Sequence, residues 1–429
     1  MCYTDIMKKL ILILITTLIT LCGCGQQEVA QYEELPPMAE IELTCDENPG
    51  EEYINAKVIA SWVKDDGEKS ILGSQAEIKL RGNSSKEAVK KAYNVKFEEE
   101  LSFLGMDPGK KWCLVSDPFD KSLLRPALGF AYAKALGIEG TPDVRLCKVW
   151  LNGHYNGVYT VTEPVESGEG RVEIDSENGD FLLERNYDRL EADKAYIESY
   201  EGFRFEINEP EEPDESALRE CGVLLQDAEE AIVSGKHSKY SKKIDVDSFV
   251  DFYIFNELIK DIDFGEYSTR YYFKDGIMYA GPPWDLDMTM GNIAAEKDED
   301  KYMIYFTGSI DKKPDTGDFY SSAEGEWAAY GDYYYWLCMD PWFMDKVSRR
   351  WEEVRSITVN LAENNEPGTN LIDRYLSEYG DALEEDFNMY KEELHVSEWQ
   401  YPAGTYLENV EMLRHWISQR IEYLDTMFH

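Results

Sequence analysis

The sequence predicts an α+β fold in two lobes, a β-rich N-terminal lobe followed by a mainly helical C-terminal lobe. Three patterns predict it. From Ala39 to Phe97 apolar and polar residues alternate with the period of half-buried strands. Farther on, Ala217, Cys221, Leu225, Ala228 and Ile232 recur at helical spacing and form one apolar face. Within that helical region a single short hairpin carries acidic clusters at both ends. With 429 residues the chain can bury a core in each lobe.

The first residues form a segment of their own. Met7-Lys8-Lys9 is a positive start, Leu10 to Leu21 is an apolar run too short to span a membrane, and Leu21-Cys22-Gly23-Cys24 is a small-residue cleavage site. This combination resembles a bacterial lipobox, with Cys24 as the lipidated first residue. Residues 1–23 are then a lipoprotein signal peptide, and residues 24–38, polar, acidic and ending in proline, a tether. The expected location is the extracellular face of a bacterial membrane, with lipid anchoring through Cys24.

Residues 39–165 make the β-rich lobe. Ile41–Leu43, Ala56–Trp62, Ala76–Leu80 and Tyr93–Phe97 alternate as strands, separated by turns such as Asn48-Pro49-Gly50 and Asp65-Asp66-Gly67. Between the last two strands lies Arg81-Gly82-Asn83-Ser84-Ser85, followed by Lys90-Lys91. Small residues there let phosphate oxygens approach backbone N–H groups, and Lys96 on the next strand supplies a point charge. An ordinary hairpin has the same composition. Leu123–Leu136 has helical spacing with Pro126 near its start and Gly137 at its C-cap. Val144–Val149 and Val158–Thr162 flank the turn Asn152–Gly157.

Residues 166–429 make the helical lobe. Gly179–Glu184 and Phe203–Ile207 read as strands, and Asp247 or Ser248 caps a helix running to about Ile259. A hairpin follows, Thr269–Lys274 and Ile277–Ala280 around Asp275-Gly276. Asn292 to about Glu326 is a long acidic loop, of a length usually functional or mobile. Pro341–Arg355, Leu371–Glu393 and Tyr406–Phe428 are helices. Tyr333–Trp336 is either core packing or a sugar-stacking platform.

Charge and cysteine usage exclude several classes. Asp and Glu number 85 against 43 Lys and Arg, a formal net charge of −42. That argues against nucleic-acid binding and against docking on anionic lipid through a basic patch. An anionic substrate needs local cations or a metal to offset the field. Beyond Cys24 the cysteines Cys45, Cys113, Cys147, Cys221 and Cys338 are scattered and odd in number, and no disulfide framework can be read from them. The five histidines never approach zinc-ligand spacing.

The chemistry concentrates around the second hairpin. Asp261 and Asp263 precede it; Gly281-Pro282-Pro283-Trp284-Asp285-Leu286-Asp287 follows it. If that stretch is extended, Asp285 and Asp287 share one face about 7 Å apart, while Trp284, Leu286 and Met288 fill the other. Two carboxylates so close fit a hard divalent cation, which takes one or two carboxylates plus phosphate oxygens. Protein kinases follow the same logic: a catalytic Asp precedes a hairpin and a metal-binding Asp follows it.

The sequence resembles the spore coat protein H (CotH) kinase family, an atypical branch of the protein-kinase-like fold. The resemblance covers residues 39–429. It is carried by Arg81–Ser85, Lys90–Phe97, Leu104-Gly105 with Lys111-Trp112, and Leu124-Arg125. Leu151–Glu163, Gly179–Glu184, Asn256-Glu257-Leu258, Trp284–Asp287, Phe343–Val354 and Val410–Phe428 continue it. It implies metal-dependent transfer of the ATP γ-phosphate to Ser or Thr of surface or coat proteins. Carried over by position, Asp263 is the base or orients the acceptor hydroxyl, with Asp261 the alternative. Asp285 and Asp287 bind Mg²⁺ or Mn²⁺. Lys96, Arg81, Asn83 and Ser84 hold the nucleotide. Arg125 is a phosphate contact or a structural arginine. The kinase-type Asn after the catalytic Asp has no clear match; Ser268 is nearest. A non-catalytic kinase-like protein of surface or coat assembly is the alternative, and a polysaccharide-binding lipoprotein a third.

Overall fold

The computed structural model describes residues 32–64, 66–187, 189, 194–292, 321–363, 368–392 and 404–428. The expected signal peptide, Cys24 and most of the Asn292–Glu326 loop lie outside the described residues.

The alternating region closes on itself. β1 (Ala39–Thr44), β2 (Ile54–Val63), β3 (Lys69–Leu80), β4 (Tyr93–Leu101), β5 (Gly109–Val115), β6 (Val144–Leu151) and β7 (His154–Thr162) form a barrel in the order β1-β2-β3-β4-β5-β7-β6. Parallel pairing of β1 with β6, Ile41 opposite Val149, shuts it, which leaves no free sheet edge. Alternation sends Ile41, Val58, Ile78, Val95, Trp112 and Tyr159 inward to a packed core. The other face of the same strands carries Lys79, Asn94, Cys113 and Thr162 in one cross-strand row. The β6–β7 turn is tighter than expected: Asn152 and Gly153 both take positive φ, as a two-residue hairpin turn requires.

α1 (Arg125–Leu136) leaves the barrel between β5 and β6 and buries Leu124, Leu128, Phe130 and Leu136 in the core of the helical region, not in the barrel. The described chain from Tyr32 on is accordingly one compact unit. The end of the expected tether belongs to it as well. Tyr32 is buried and its hydroxyl donates to the Ile357 carbonyl at 2.9 Å, while Arg374 donates to the Tyr32 carbonyl at 3.2 Å.

A second sheet has the order β12-β11-β8-β10-β9, built from β8 (Phe181–Asn186), β9 (Tyr196–Glu198), β10 (Arg204–Glu209), β11 (Tyr267–Lys274) and β12 (Ile277–Ala280). The expected hairpin β11–β12 is thus fixed to β8, with Tyr271 opposite Leu183. Around it lie α2 (Glu215–Val233), α3 (His237–Tyr240), α4 (Val246–Ile259), α5 (Tyr334–Leu337), α6 (Pro341–Val359), α7 (Leu371–Tyr390) and α8 (Tyr406–Met427). Cys221, Leu225, Ala228 and Ile232 of α2 are buried, as the spacing predicts. The cap of α4 is Asp245 and not Asp247 or Ser248: its side chain accepts the Ser248 amide at 2.8 Å. Tyr333 and Tyr334 are wholly buried, so that part of the tyrosine run is core and not a platform.

Two ion pairs pin the layers. Arg420 of α8 and Glu257 of α4, both fully buried, meet at 2.6 Å, and Glu257 also accepts the amides of Trp327 and Ala329 at 3.0 and 3.1 Å. This accounts for Asn256-Glu257-Leu258 as structure. Lys90 of the β3–β4 connection reaches Asp386 of α7 at 3.0 Å, joining barrel to helices.

Candidate active site

The second hairpin is set by its ends. α4 stops where Lys260 turns left-handed (φ 47°), and its amide bonds the Asn256 carbonyl. The next turn is held by its own acids. Asp261 accepts the Asp263 amide on its carboxylate at 3.0 Å, and the Asp263 carbonyl accepts the amides of Glu266 and Tyr267 at 3.0 and 2.9 Å. After β12, Gly281 donates to the Arg270 carbonyl, and the chain reaches Asp285.

Asp285 corrects one expectation. It is left-handed (φ 62°, ψ 59°), and Leu286–Met288 is a single 3₁₀ turn. The stretch is not extended, and Asp285 and Asp287 do not share a strand face. The bend has a packing cause. Leu286 turns inward onto Gly129 of α1, where a Cβ would stand 2.7 Å from its Cδ1. Asp285 is thereby left exposed and Asp287 buried, 8% exposed. Non-glycine residues hold this conformation only where their surroundings fix it, and such residues gather at functional sites.

The two acidic segments are stitched together by backbone. The Met290 amide donates to the Ile259 carbonyl at 2.5 Å and the Ile262 amide to the Met288 carbonyl at 3.5 Å. The two acidic segments therefore run side by side, close enough for the Asp285 charge to act on Asp261 and Asp263. Arg125 anchors the far side of the stretch: Nε donates to the Thr289 carbonyl at 2.9 Å, Nη2 to the Met290 carbonyl at 3.3 Å and Nη1 to Asp120 at 2.6 Å. Asp120 is fully buried and also accepts the amides of Ser122, Leu124 and Arg125. Arg125 is structural; its donors are spent on the chain.

Crowded carboxylates show in their protonation. Burial, and then the charge of Asp285, pushes Asp263 up to about 7. Burial and Asp263 push Asp261 well above the ordinary carboxylate range; burial and then Asp285, Asp117 and Asp120 do the same to Asp287. Among the described residues no three His, Cys, Asp or Glu side chains are grouped to hold a metal ion unaided. Two carboxylates completed by phosphate oxygens are the ordinary Mg²⁺ set, and the donors present fit that requirement.

A small open cavity, about 20 Å³ of enclosed space, lies beside Asp285 and Asp287, with Arg81, Val115, Asp117, Thr160, Thr162 and Trp284 among its walls. Arg81 is the cation there. Its guanidinium lies over Trp284 at 5.4 Å, and Arg270 lies 5.6 Å from the same ring while pairing with Glu184 at 2.8 Å. Trp284 thus lies between the cavity and two guanidinium groups within 6 Å of its ring, and is not a filler of a strand face.

The other expected nucleotide contacts sit elsewhere. Lys96 is on the same outer face of the barrel as Arg81, but it pairs across with Lys111, four residues along β5 from the cavity residue Val115. That is about 13 Å. Its ammonium lies over the Tyr53 ring at 5.8 Å, next to Lys79. Asn83 is exposed, makes no side-chain cap bond and does not line the cavity. Ser84 opens the 3₁₀ turn Ser84–Glu87, so Arg81–Ser85 is not a simple hairpin turn.

Asp117, Thr160 and Thr162 went unsignalled in the sequence. Asp117 lies in an Asp-Pro turn, left-handed at φ 47°, and its Oδ2 accepts the Thr160 hydroxyl. Alternation of β7, which sends Tyr159 and Val161 inward, was the available sign that Thr160 and Thr162 face outward.

A family model described as CotH kinase protein matches residues 78–424, which is most of the chain. The chain belongs to the CotH kinase family. The match starts inside β3, three residues before Arg81, and ends in α8, so it takes in both acidic clusters and every cavity residue named above. CotH membership makes this a kinase-like protein. No curated protein matches the chain.

Proposed function

We propose that this CotH family chain is an atypical protein kinase that transfers the ATP γ-phosphate to Ser or Thr hydroxyls of surface or coat proteins, with Mg²⁺ or Mn²⁺. One observation supports the reading: the backbone pairing of Ile259–Ile262 with Met288–Met290, which brings the two acidic segments side by side, the second of them lining a cavity with Arg81. The barrel and the helical region then act as the two lobes of a kinase-like layout. The protein sits outside the bacterial membrane on a lipid at Cys24.

The roles are those the family resemblance implies, and burial and hydrogen bonding support them. Asp261 is buried and committed to the Asp263 amide, so it positions the turn. Asp263 is less buried and takes the proton of the acceptor hydroxyl. The hydroxyl oxygen bonds to the γ-phosphorus as the bond from that phosphorus to the β-phosphate oxygen breaks, and ADP leaves with that electron pair. Asp285 and Asp287 would hold the divalent cation, which when bound neutralises phosphate charge. Arg81 binds phosphate in the place assigned to Lys96. Such a site acts by positioning and charge stabilisation, with no covalent intermediate.

The test is incubation of the chain with γ-labelled ATP and Mg²⁺ or Mn²⁺, beside Asp285→Ala. Label on protein is expected for the wild type and none for the variant, whose fold should be intact; equal labelling refutes the assignment. A non-catalytic assembly protein is favoured by the distance of Lys96 from the cavity and by the lack, among the described residues, of a three-ligand metal group. A metal-dependent thermal shift with ATP separates the two.

A further inference from the structure

The stretch after α2 has no part in the roles assigned above. Residues 236–243 carry four lysines, one histidine and no acid, in a chain with 85 Asp and Glu against 43 Lys and Arg. The fold puts them in order. The Lys239 amide donates to the Lys236 carbonyl at 2.8 Å, and the Lys242 amide to the Lys239 carbonyl at 3.1 Å. Turns of three residues set side chains i and i+3 above one another. Lys236, Lys239 and Lys242 therefore form one row, and all three are exposed. The backing of the row is rigid. Tyr240 is fully buried with its hydroxyl on Asp340 at 2.9 Å, and the His237 ring stacks on Trp342 at 4.9 Å.

The row is not balanced from within. Its neighbours are paired, Lys243 with Asp227 at 2.6 Å and Lys346 with Asp247 at 2.8 Å. Among the described residues no carboxylate pairs with Lys236, Lys239 or Lys242. The dipole of α2 does not account for them: that effect falls off within the last turn, and the last turn of α2, ending at Val233, holds no basic residue. Like charges one turn apart repel, so an anionic partner relieves the row. Its spacing favours one kind. Side chains one turn apart are about 5–6 Å from each other, and alternate residues of an extended peptide are about 7 Å apart. Three phosphoserines at alternate positions would meet three ammonium groups. Lysine suits them as a point charge that takes phosphate from any side, which fits a flexible segment.

We propose that Lys236, Lys239 and Lys242 form a docking site for a segment of the protein substrate that already carries phosphoserine or phosphothreonine. The inference deepens the kinase reading and rests on it. A surface of net charge −42 repels such a product everywhere else. The row is fastened to the site, because the Met278 amide of β12 donates to the Lys243 carbonyl at 2.9 Å and the Asp245 amide to the Met278 carbonyl at 2.8 Å. From Met278 to Asp285 the chain spans at most about 25 Å, which about eight extended residues of substrate cover. A docked segment thus holds further hydroxyls near the site and raises their effective concentration.

The experiment measures binding of a fluorescent peptide with phosphoserine at three alternate positions to the full chain by anisotropy. Binding is expected, weakening with salt, and at least about tenfold tighter than that of the same peptide with plain serine. Lys236→Ala, Lys239→Ala and Lys242→Ala combined, all at exposed positions, should weaken it about tenfold, the loss of three exposed ion pairs; arginine at the same three positions should retain it. Undiminished binding by the alanine variant overturns the inference. Equal binding of a glutamate peptide of matched charge, or tighter binding of linear polyphosphate, also overturns it, since the row is then a general anion surface. Label transfer from γ-labelled ATP is read separately on the same chain. Wild type that labels protein but does not bind the phosphopeptide overturns the docking inference alone; wild type that binds it and labels nothing overturns the kinase reading alone.

Discussion

Replacing Arg125 by Met tests whether the acidic stretch is held from outside. The side chain makes four polar contacts, to the carbonyls of Thr289 and Met290, to Asp120 and to the Ser122 hydroxyl. Methionine keeps most of the volume, so the loss is polar. Two carbonyls lose charged donors, each worth about 1.5–3 kcal/mol. Asp120 loses its ion-pair partner but keeps the Ser122, Leu124 and Arg125 amides and the Ser122 hydroxyl, so its own penalty is reduced. The whole should come to about 3–5 kcal/mol, the range for breaking a buried pair by removing one partner. Urea unfolding measures it. The stretch ending at Thr289-Met290 also carries Asp285 and Asp287, so Mn²⁺ affinity should fall with stability. If Arg125→Met unfolds within about 1 kcal/mol of wild type while ATP binding collapses, Arg125 is a phosphate ligand and the anchoring argument is wrong.

Three further outcomes follow from named contacts. Arg81→Ala should weaken MgATP binding about tenfold or more, the loss of a charged hydrogen bond, whereas Lys96→Ala, outside the cavity, should change it far less; calorimetric titration compares them, and the reverse order would restore Lys96 to the phosphate site. Arg420→Met should cost about 3–5 kcal/mol by stranding Glu257, and Glu257→Gln added to it, which removes the buried charge but keeps an acceptor for the Trp327 and Ala329 amides, should recover part of that in urea unfolding. Glu163 is pushed up to about 7, first by burial, with Arg171 and Lys134 opposing. Its folded value lies above its unfolded one, so its contribution to stability is complete below about 4.5 and is lost as pH rises through 7, at most about 3 kcal/mol. The melting temperature of the metal-free chain should therefore rise from pH 8 to pH 5, and Glu163→Gln should flatten that rise.

What the sequence made legible was local. Asn152-Gly153 and Asp275-Gly276 are turn pairs whose chemistry is complete within two residues, and both hairpins form. The acids at the hairpin ends were legible for the same reason: a short ribbon brings its two ends together whatever surrounds it. Closure of the barrel was not, because β1 meets β6 across most of the N-terminal region and neither strand carries a local mark of its partner. β5 escaped because Trp112, Cys113 and Leu114 are all buried, so Gly109–Val115 shows no alternation. Lys96, the phosphate contact that the resemblance implies, lies away from the cavity, and alternation does not reveal this because it gives the face of a strand but not the position along it. Residues on one face of β4 and β5 differ by about 13 Å in reach, and only register tells them apart.

The left-handed step at Asp285 explains why the family segment Trp284–Asp287 is more than a pair of acids. In an extended strand Asp285 and Asp287 would share one environment, and two equal carboxylates would repel with nothing between them. The turn instead gives them different surroundings: Asp285 exposed at the cavity, Asp287 buried below it, its pKa driven up by burial and by Asp285. Leu286 between them is the lever. Because it is seated on Gly129 of α1, and Arg125 of the same helix holds Thr289 and Met290, one helix fixes both ends of the turn. The helix starts next to Asp117 and Asp120, so the barrel, the helix and the acidic stretch position one another. A displacement of α1 would therefore move Asp285, Asp287 and Asp117 together. That makes α1, and not the hairpin alone, the element on which the geometry of the site depends.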